Sequence, residues 1–564
     1  MKWFLAPLCF VVVAGYGAEY SRVSCETECA SGSALCCQLL QKRVEHRTPP
    51  SDCAKTLKVK FALDGAVKGE DAVVVVKEGV AVVRAGRVRG LVYGAGLLLR
   101  TISYGWQTFS LDDGEYRFEP KKPFRMGDIE RHLDNWYHRA PLADILEYID
   151  DLVMAGLNSF LYQYRYPEID LADSTEEDRV VFEAVSRAMA ARIHELDCEL
   201  CENGGSNQVS DDAPEHLRSV PNTDPRRPNF GFNVCPSRKE GMDYLLDFHS
   251  KRLKQLDGVQ VEYFNHLPFD EGGCECKDCH PYGGNGFLKL VERLQKINSA
   301  AHPGVKTIVD TWLFHDDDWA MFYKYLETHE WIDYVMADSH NDFPRYPLDH
   351  PIPKGIPLVT FPEISMWGRD PWGGYGATPL PKRFERLFRQ ADPVSSGCMF
   401  YSEGVYEDVN KAVVIGLYVK PEDTSDSIIR KYAAYELPGT SPDDFVKLCG
   451  ILEANHLFPQ RRTWPVFTSI GENDSELAEY RRRTDEACRI VARMDAALLP
   501  SIRRCWRWRI LYLRTMIDRE IFLHRKAAPD SAKKFFEELV GIYHAEIQLE
   551  KWRKGKGGYT CPHF

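Results

Sequence analysis

The rhythm of apolar and polar positions changes twice along this chain, at about residues 121 and 441. From Thr56 to about Pro120, short β-rich runs (LKVKFAL, AVVVV, VAVVRAG, YRFE) surround one stretch with helical spacing, YGAGLLLRTISYG, which predicts a small α+β domain over residues 55–121. From Lys122 the pattern becomes strand, loop, helix, repeated. The predicted strands are MGDIERHLD, LNSFLYQY, DCELCENG, VQVEYFNH, KTIVDTWLF, DYVMADS, PLVTFPEIS and GCMFYSEG, mostly separated by amphipathic stretches such as SRKEGMDYLLDFHSKRLKQL and GFLKLVERLQKINSA. Eight alternations over residues 122–440 match a (β/α)8 TIM barrel better than an open doubly wound sheet. No glycine-rich dinucleotide fingerprint follows the first strand, which weakens the open-sheet alternative. After Pro442 strand signals vanish and long helical patterns such as ENDSELAEYRRRTDEACRIVARMDAALL take over, so residues 441–564 read as a helical domain on an α/β barrel.

The opening residues, MKWFLAPLCFVVVAGYGAEY, combine one lysine, a short apolar run and small residues at Gly15 and Gly17. That pattern predicts a signal peptide over residues 1–17, hence export to the periplasm or the medium. The apolar run is too short to span a bilayer comfortably, and no later stretch is long and apolar enough, so stable membrane insertion is not expected. The formal net charge of −12 and the absence of a long basic run argue against a nucleic-acid partner. Export also permits disulfides. Cys25, Cys29, Cys36, Cys37 and Cys53 crowd residues 18–54, which read either as a small stapled extension or as a leader without order. The oligomeric state is not legible.

In a barrel of this kind, functional residues gather at the C-terminal ends of the strands, where the βα loops form the concave face. Those ends carry His132, Asp134 and Asn135 after the first strand, Arg165 after the second, and Glu202 and Asn203 after the third. Asp270 and Glu271 follow the fourth, Trp312 the fifth, Asp338 and His340 the sixth, Glu363 the seventh and Glu403 the eighth. Trp136, Trp367, Trp372, Tyr375 and Tyr401 lie among them. Carboxyl groups and flat rings are what cleavage of a glycosidic bond uses: one acid protonates the leaving oxygen, a second carboxylate attacks or activates water, and rings stack on sugar faces. No Gly-x-Ser-x-Gly elbow and no P-loop occurs, which disfavours serine-hydrolase and nucleotide readings. Arg165 is a candidate to grip a substrate carboxylate. His132, Asp134 and Glu403 are candidates for sugar hydroxyls, and Trp312, Trp367, Trp372 and Tyr401 for walls of the pocket.

The segment RGLVYGAGLLLRTI resembles the helix entry of the small domain that precedes the barrel in α-glucuronidases and β-N-acetylhexosaminidases. CPSRKEGMDYLL, FDEGGCECKDCHPYGGNGF, TWLF, FPEISMWGRDPWGGYGATPLP and YSEGVYEDVNK resemble secreted bacterial barrel proteins described as glycosidase-like. The resemblance covers about residues 55–440 and implies a glycosidase that removes a terminal uronic acid or N-acetylhexosamine from a glycan without a catalytic cofactor. Laid on the α-glucuronidase pattern, Glu271 is the acid while Asp338 and Glu363 serve the water, with carboxyl groups about 6.5–9.5 Å apart. On the hexosaminidase pattern Asp270 orients the substrate's acetamido group and Glu271 is the acid, although Gly272 and Gly273 here follow the pair where that family places two glycines before it. A double displacement would use Glu271 as acid/base and Glu363 as nucleophile, about 5–5.5 Å apart. The alternative of another class is a non-catalytic carbohydrate-binding barrel, which would keep the rings without needing the carboxylate pair.

Cys274, Cys276 and Cys279 sit in a C-x-C-x-x-C spacing directly after Glu271, too close together for an easy disulfide among themselves. With Cys235 they would form a closed tetrahedral zinc site, structural because no position stays open for water. Disulfides involving Cys235 or the Cys198/Cys201 pair, and free thiols, are the alternatives.

Overall fold

The structure, a computed structural model, describes residues 18–550 apart from 28–31, 50–54, 132–133, 163–174, 210–212, 226, 228–230, 269, 365–376, 406, 457–473, 525–529 and 548–549. The signal-peptide segment, His132, Arg165, Trp367, Trp372 and Tyr375 therefore lie outside the described residues.

The N-terminal sheet contains β1 (Ala18–Thr27), β2 (Lys55–Leu63), β3 (Ala72–Lys77), β4 (Val80–Ala85), β5 (Ser103–Tyr104), β6 (Phe109–Leu111) and β7 (Gly114–Phe118), in the order β5-β6-β1-β2-β4-β3-β7. β1 runs parallel to β2, with Cys25 opposite Val59. This corrects the reading of residues 18–54 as a stapled extension or an orderless leader: β1 and the helix Ser33–Arg47 belong to the domain itself. The reason is packing, since Leu35, Cys36, Leu39, Leu40 and Val44 form the buried face of that helix. Cys25, Cys36 and Cys37 are free thiols.

The helix Val88–Thr101 crosses from this sheet to the barrel. Gly96 permits the approach: a Cβ there would sit 2.2 Å from the carbonyl oxygen of Met154 in the barrel helix Leu142–Ala155. The barrel closes through β8 (Phe124–Ile129), β9 (Ser159–Leu161), β10 (Glu199–Asn203), β11 (Tyr263–His266), β12 (Lys306–Asp310), β13 (Tyr334–Asp338), β14 (Leu358–Phe361) and β15 (Ser395–Ser402), all pairs parallel. Each falls within or against one of the eight predicted runs. Their almost wholly buried patterns follow from being covered outside by helices and inside by one another. Phe124, Met126, Leu161, Ile308, Met336 and Met399 fill the interior, so the barrel is packed rather than hollow.

After the barrel come Pro442–Asn455, Asp474–Ala497, Trp506–His524 and Asp530–Tyr543, all helical, as the amphipathic pattern predicts. Among the described residues no helix is long and apolar enough to cross a membrane.

Candidate active site

Strand geometry assembles the site. Successive side chains alternate between the two faces of a strand, so residues two apart face the same side. At the C-terminal ends of the barrel strands this spacing yields Asp128 with Glu130, Asp310 with Trp312, Asp338 with His340, Phe361 with Glu363, and Tyr401 with Glu403. A parallel bridge between Glu363 and Tyr401 extends β14 and β15 far enough to set the last two pairs side by side.

The groups are close enough for their charges to act on one another. Asp128 is buried, and burial first, then Glu130, Asp310 and Glu403, push its carboxyl well above the usual range. Asp310 is 0% exposed and neither of its oxygens has a hydrogen-bond partner of good geometry. Burial, followed by repulsion from Asp338, raises it strongly, although the main-chain N–H groups of Thr311 and Trp312 lie near enough to oppose the shift. His340 lies among these acids. Burial disfavours its charge, but Asp338, Glu363 and Asp310 overcome burial and raise it above the ordinary imidazole value. Its Nδ1 lies 2.7 Å from Asp338 Oδ1 and its Nε2 3.9 Å from Glu363 Oε2. The side chains of Asp338 and Glu363 remain 23% and 15% exposed, so both can meet a substrate.

The rings are arranged around these groups. Trp312 packs on His340 with centroids 4.3 Å apart, and Phe361 meets His340 edge-on at 4.8 Å. The indole N–H of Trp312 donates to Asp270 Oδ1 at 3.2 Å, tying the end of the fourth barrel strand to the fifth. Tyr401 donates its hydroxyl to Glu403 Oε1 at 2.6 Å. A continuous path therefore runs from Asp270 through Trp312 and His340 to Asp338 and Glu363.

Glu271 is placed differently. It is 5% exposed, and its two oxygens accept main-chain N–H groups from Gly231 (3.0 Å) and Phe232 (2.9 Å). Gly272, at φ 80, turns the chain directly after it, a conformation that favours glycine. Arg227 braces the same corner, donating to the carbonyl oxygens of Asp270 (3.4 Å) and Trp312 (2.9 Å). Asp134 takes a left-handed backbone conformation, φ 58, and its carboxylate receives Arg139 Nε at 2.7 Å, the contact of a local ion pair. Asp128, Glu130 and Asp310 were not singled out from sequence, although a period-two count back from each strand end finds all three.

Beyond Glu271, Cys235, Cys274, Cys276 and Cys279 bring their sulfur atoms within 4.8 Å of one another. All four are free thiols, as are Cys198 and Cys201, so disulfides do not link them here. Hydrogen bonding with Cys274 and Cys279 lowers the Cys235 thiol, while the same contacts raise that of Cys279.

No protein-family profile matches the sequence, and no curated protein matches it either. Solved structures do. A family GH115 4-O-methyl-α-glucuronidase with specificity for decorated arabinogalactans superposes with a TM-score of 0.62 at 10% identity, over 96% of this chain and 78% of that one. A family 89 glycoside hydrolase from Clostridium perfringens, a variant with two Glu→Gln changes in complex with its substrate GlcNAc-α-1,4-galactose, gives 0.59 at 11% identity, over 89% of this chain and 65% of that one. A family 20 β-N-acetylglucosaminidase gives 0.51 at 12%, over 77% and 94%. At these identities what is shared is the fold.

Proposed function

We propose that the protein is an exported glycoside hydrolase that removes a terminal uronic acid or N-acetylhexosamine from a polysaccharide or glycan by carboxyl acid/base catalysis. The observation that carries this reading is the convergence of carboxyl groups from five strand ends in one ring-lined mouth, where no lysine or arginine of the described residues forms an ion pair with Asp128, Asp310, Asp338 or Glu363. Buried carboxylates without such partners are costly, and active sites are where that cost is tolerated. Neighbours in fold that act on uronic acids and on N-acetylated sugars fit the same substrate class.

In this reading Glu363 serves the anomeric carbon, directly or through water. His340 neutralises part of its charge, and Asp338 orients His340. Glu271 is the proton donor, and donating requires it to exchange the N–H of Gly231 or Phe232 for the glycosidic oxygen. Asp270, held by Trp312, positions the sugar. The family 89 neighbour holding its substrate with two Glu→Gln changes supports a two-glutamate site. The chemistry uses carboxyl groups alone, and the four thiols hold structure.

The test is a screen of aryl glycosides of uronic acids and N-acetylhexosamines with wild type and Glu271→Gln. Loss of roughly 10²–10⁴-fold on poor leaving groups, with much of the rate kept on activated ones, is the signature of a lost acid. Equal rates on both would remove Glu271 from the mechanism. A second reading, a carbohydrate-binding barrel, is favoured by one observation, that both Glu271 oxygens are already engaged by main-chain donors. Glycan binding without turnover of any glycoside would select it.

A further inference from the structure

Four thiols converging at a place with no role in sugar chemistry call for a separate explanation. Cys235, Cys274 and Cys279 are fully buried and Cys276 is half-buried. The Cys235 sulfur lies 3.9 Å from that of Cys276 and 3.8 Å from that of Cys279. A disulfide needs about 2.05 Å. A tetrahedral thiolate site with bonds of about 2.3 Å to zinc places its sulfurs about 3.8 Å apart. Both printed spacings match the second, and all four sulfurs lie within 4.8 Å of one another.

The surroundings suit thiolates. The main-chain N–H of Val220 donates to Cys274 Sγ at 3.3 Å, the N–H groups of Ser237 and Arg238 lie near enough to Cys235 to favour its thiolate, and the Cys279 thiol donates to Ser237 Oγ at 3.0 Å. N–H groups so placed are satisfied by a charged sulfur and help to orient it. We propose that Cys235, Cys274, Cys276 and Cys279 bind one zinc ion in a closed tetrathiolate site, with the thiol protons released to solvent. All four tetrahedral positions are filled by sulfur, so the ion is a staple without a place for water or substrate.

What it staples is specific. Cys235 sits three residues after Phe232, whose N–H holds Glu271, and its own N–H bonds to Leu217. Cys274 sits three residues after Glu271, and the next residue, Glu275, bonds back to Val220. Cys279 leads into the helix Gly286–Ala301, whose Gly286 N–H bonds to the Cys279 carbonyl. One ion would thereby lock the loop carrying Gly231 and Phe232 to the turn carrying Glu271. This inference does not rest on the hydrolase reading, since it concerns the metal and the loop alone.

The experiment is metal analysis of the full mature chain, purified without chelator, with thiol titration by a mercurial in the presence of a zinc-sensitive dye. The expected result is about one zinc per chain, released in step with the reaction of four thiols, and lost in Cys235→Ser and Cys279→Ser. Because loss of a ligand can also prevent folding, the wild-type chain is in addition refolded with cobalt(II), which should give the visible absorption of a tetrahedral tetrathiolate. Hydrogen exchange at Gly231 and Phe232 should quicken when zinc is withdrawn. Zinc-free wild type with disulfides among these cysteines, iron in place of zinc, or cobalt spectra lacking thiolate bands would each overturn the proposal, whatever the protein does to glycosides.

Discussion

Two regions of the molecule draw carboxylates out of water and treat them in opposite ways. Where the barrel meets the N-terminal and C-terminal helices, Asp151 lies between Arg43 and Arg507, each at 2.8 Å, and Asp408 receives Arg507 at 2.9 Å and the hydroxyls of Tyr148 and Tyr432 at 2.8 and 2.7 Å. Burial pushes Asp151 up, yet the two guanidinium groups hold it well below the usual carboxylate range. In the barrel mouth Asp128 and Asp310 are buried more deeply, have no such partner, and move the other way. The comparison teaches that the cation beside an acid, more than its burial, decides which way its carboxyl shifts. Compensation by arginine marks the acids that hold domains together, and its lack marks those left free to react.

The sharpest way to break this contrast is Glu363→Gln. It should cost roughly 10²–10⁴-fold in turnover of whichever aryl glycoside the wild type cleaves, with little change in the denaturation midpoint. A variant that unfolds early and keeps its turnover would show the mouth to be structural. Next in size is Arg507→Met, which leaves Asp151 and Asp408 short of a buried partner and should lower unfolding free energy by about 3–5 kcal/mol in urea titration, with kcat/KM per folded molecule unchanged.

Asp310→Asn should do the reverse, raising stability at neutral pH by about 1 kcal/mol, because it removes a carboxyl group lacking good partners beside Asp338. The sign follows from the raised pKa: the folded wild type binds its proton more tightly than the unfolded chain. Asp310 therefore costs stability increasingly as pH rises from about 4 through the raised value, and the variant should flatten that part of the stability profile. The smallest effect belongs to His340, raised by Asp338, Glu363 and Asp310 within the rings of Trp312 and Phe361. Its charge stabilises the folded state fully below about pH 6.5, and the benefit fades as pH climbs through the raised value. Melting temperatures of wild type and His340→Gln should therefore converge between neutral and alkaline pH.

Much of the architecture was legible because barrel strands and helices differ in period. KTIVD and DYVMAD show unbroken apolar runs ended by an acid, and GFLKLVERLQKINSA shows a helical stripe. Residues 18–47 were misread, since a cysteine-rich stretch suggested staples, whereas Cys36 and Cys37 are free thiols buried as small apolar side chains in the domain core and Cys25 packs against them half-buried. The site was legible in part. Asp338, Glu363 and Glu403 stand visibly at strand ends, while Asp128 lies inside β8 and Asp310, which ends β12, was read through because the apolar pattern continues into TWLF.

By itself the sequence determined the order of strands and helices and the carboxyl groups at the strand ends, because these depend on periodicities of two and 3.6 residues that act locally. Only the tertiary structure decided which acids have a cation beside them, that Asp134 serves Arg139, that Glu271 rests on the amides of Gly231 and Phe232, and that Cys235 joins a cluster 39 to 44 residues further along. Those facts turn on distances of a few ångströms between segments far apart in the chain, set by barrel closure and loop packing rather than by any neighbour in sequence.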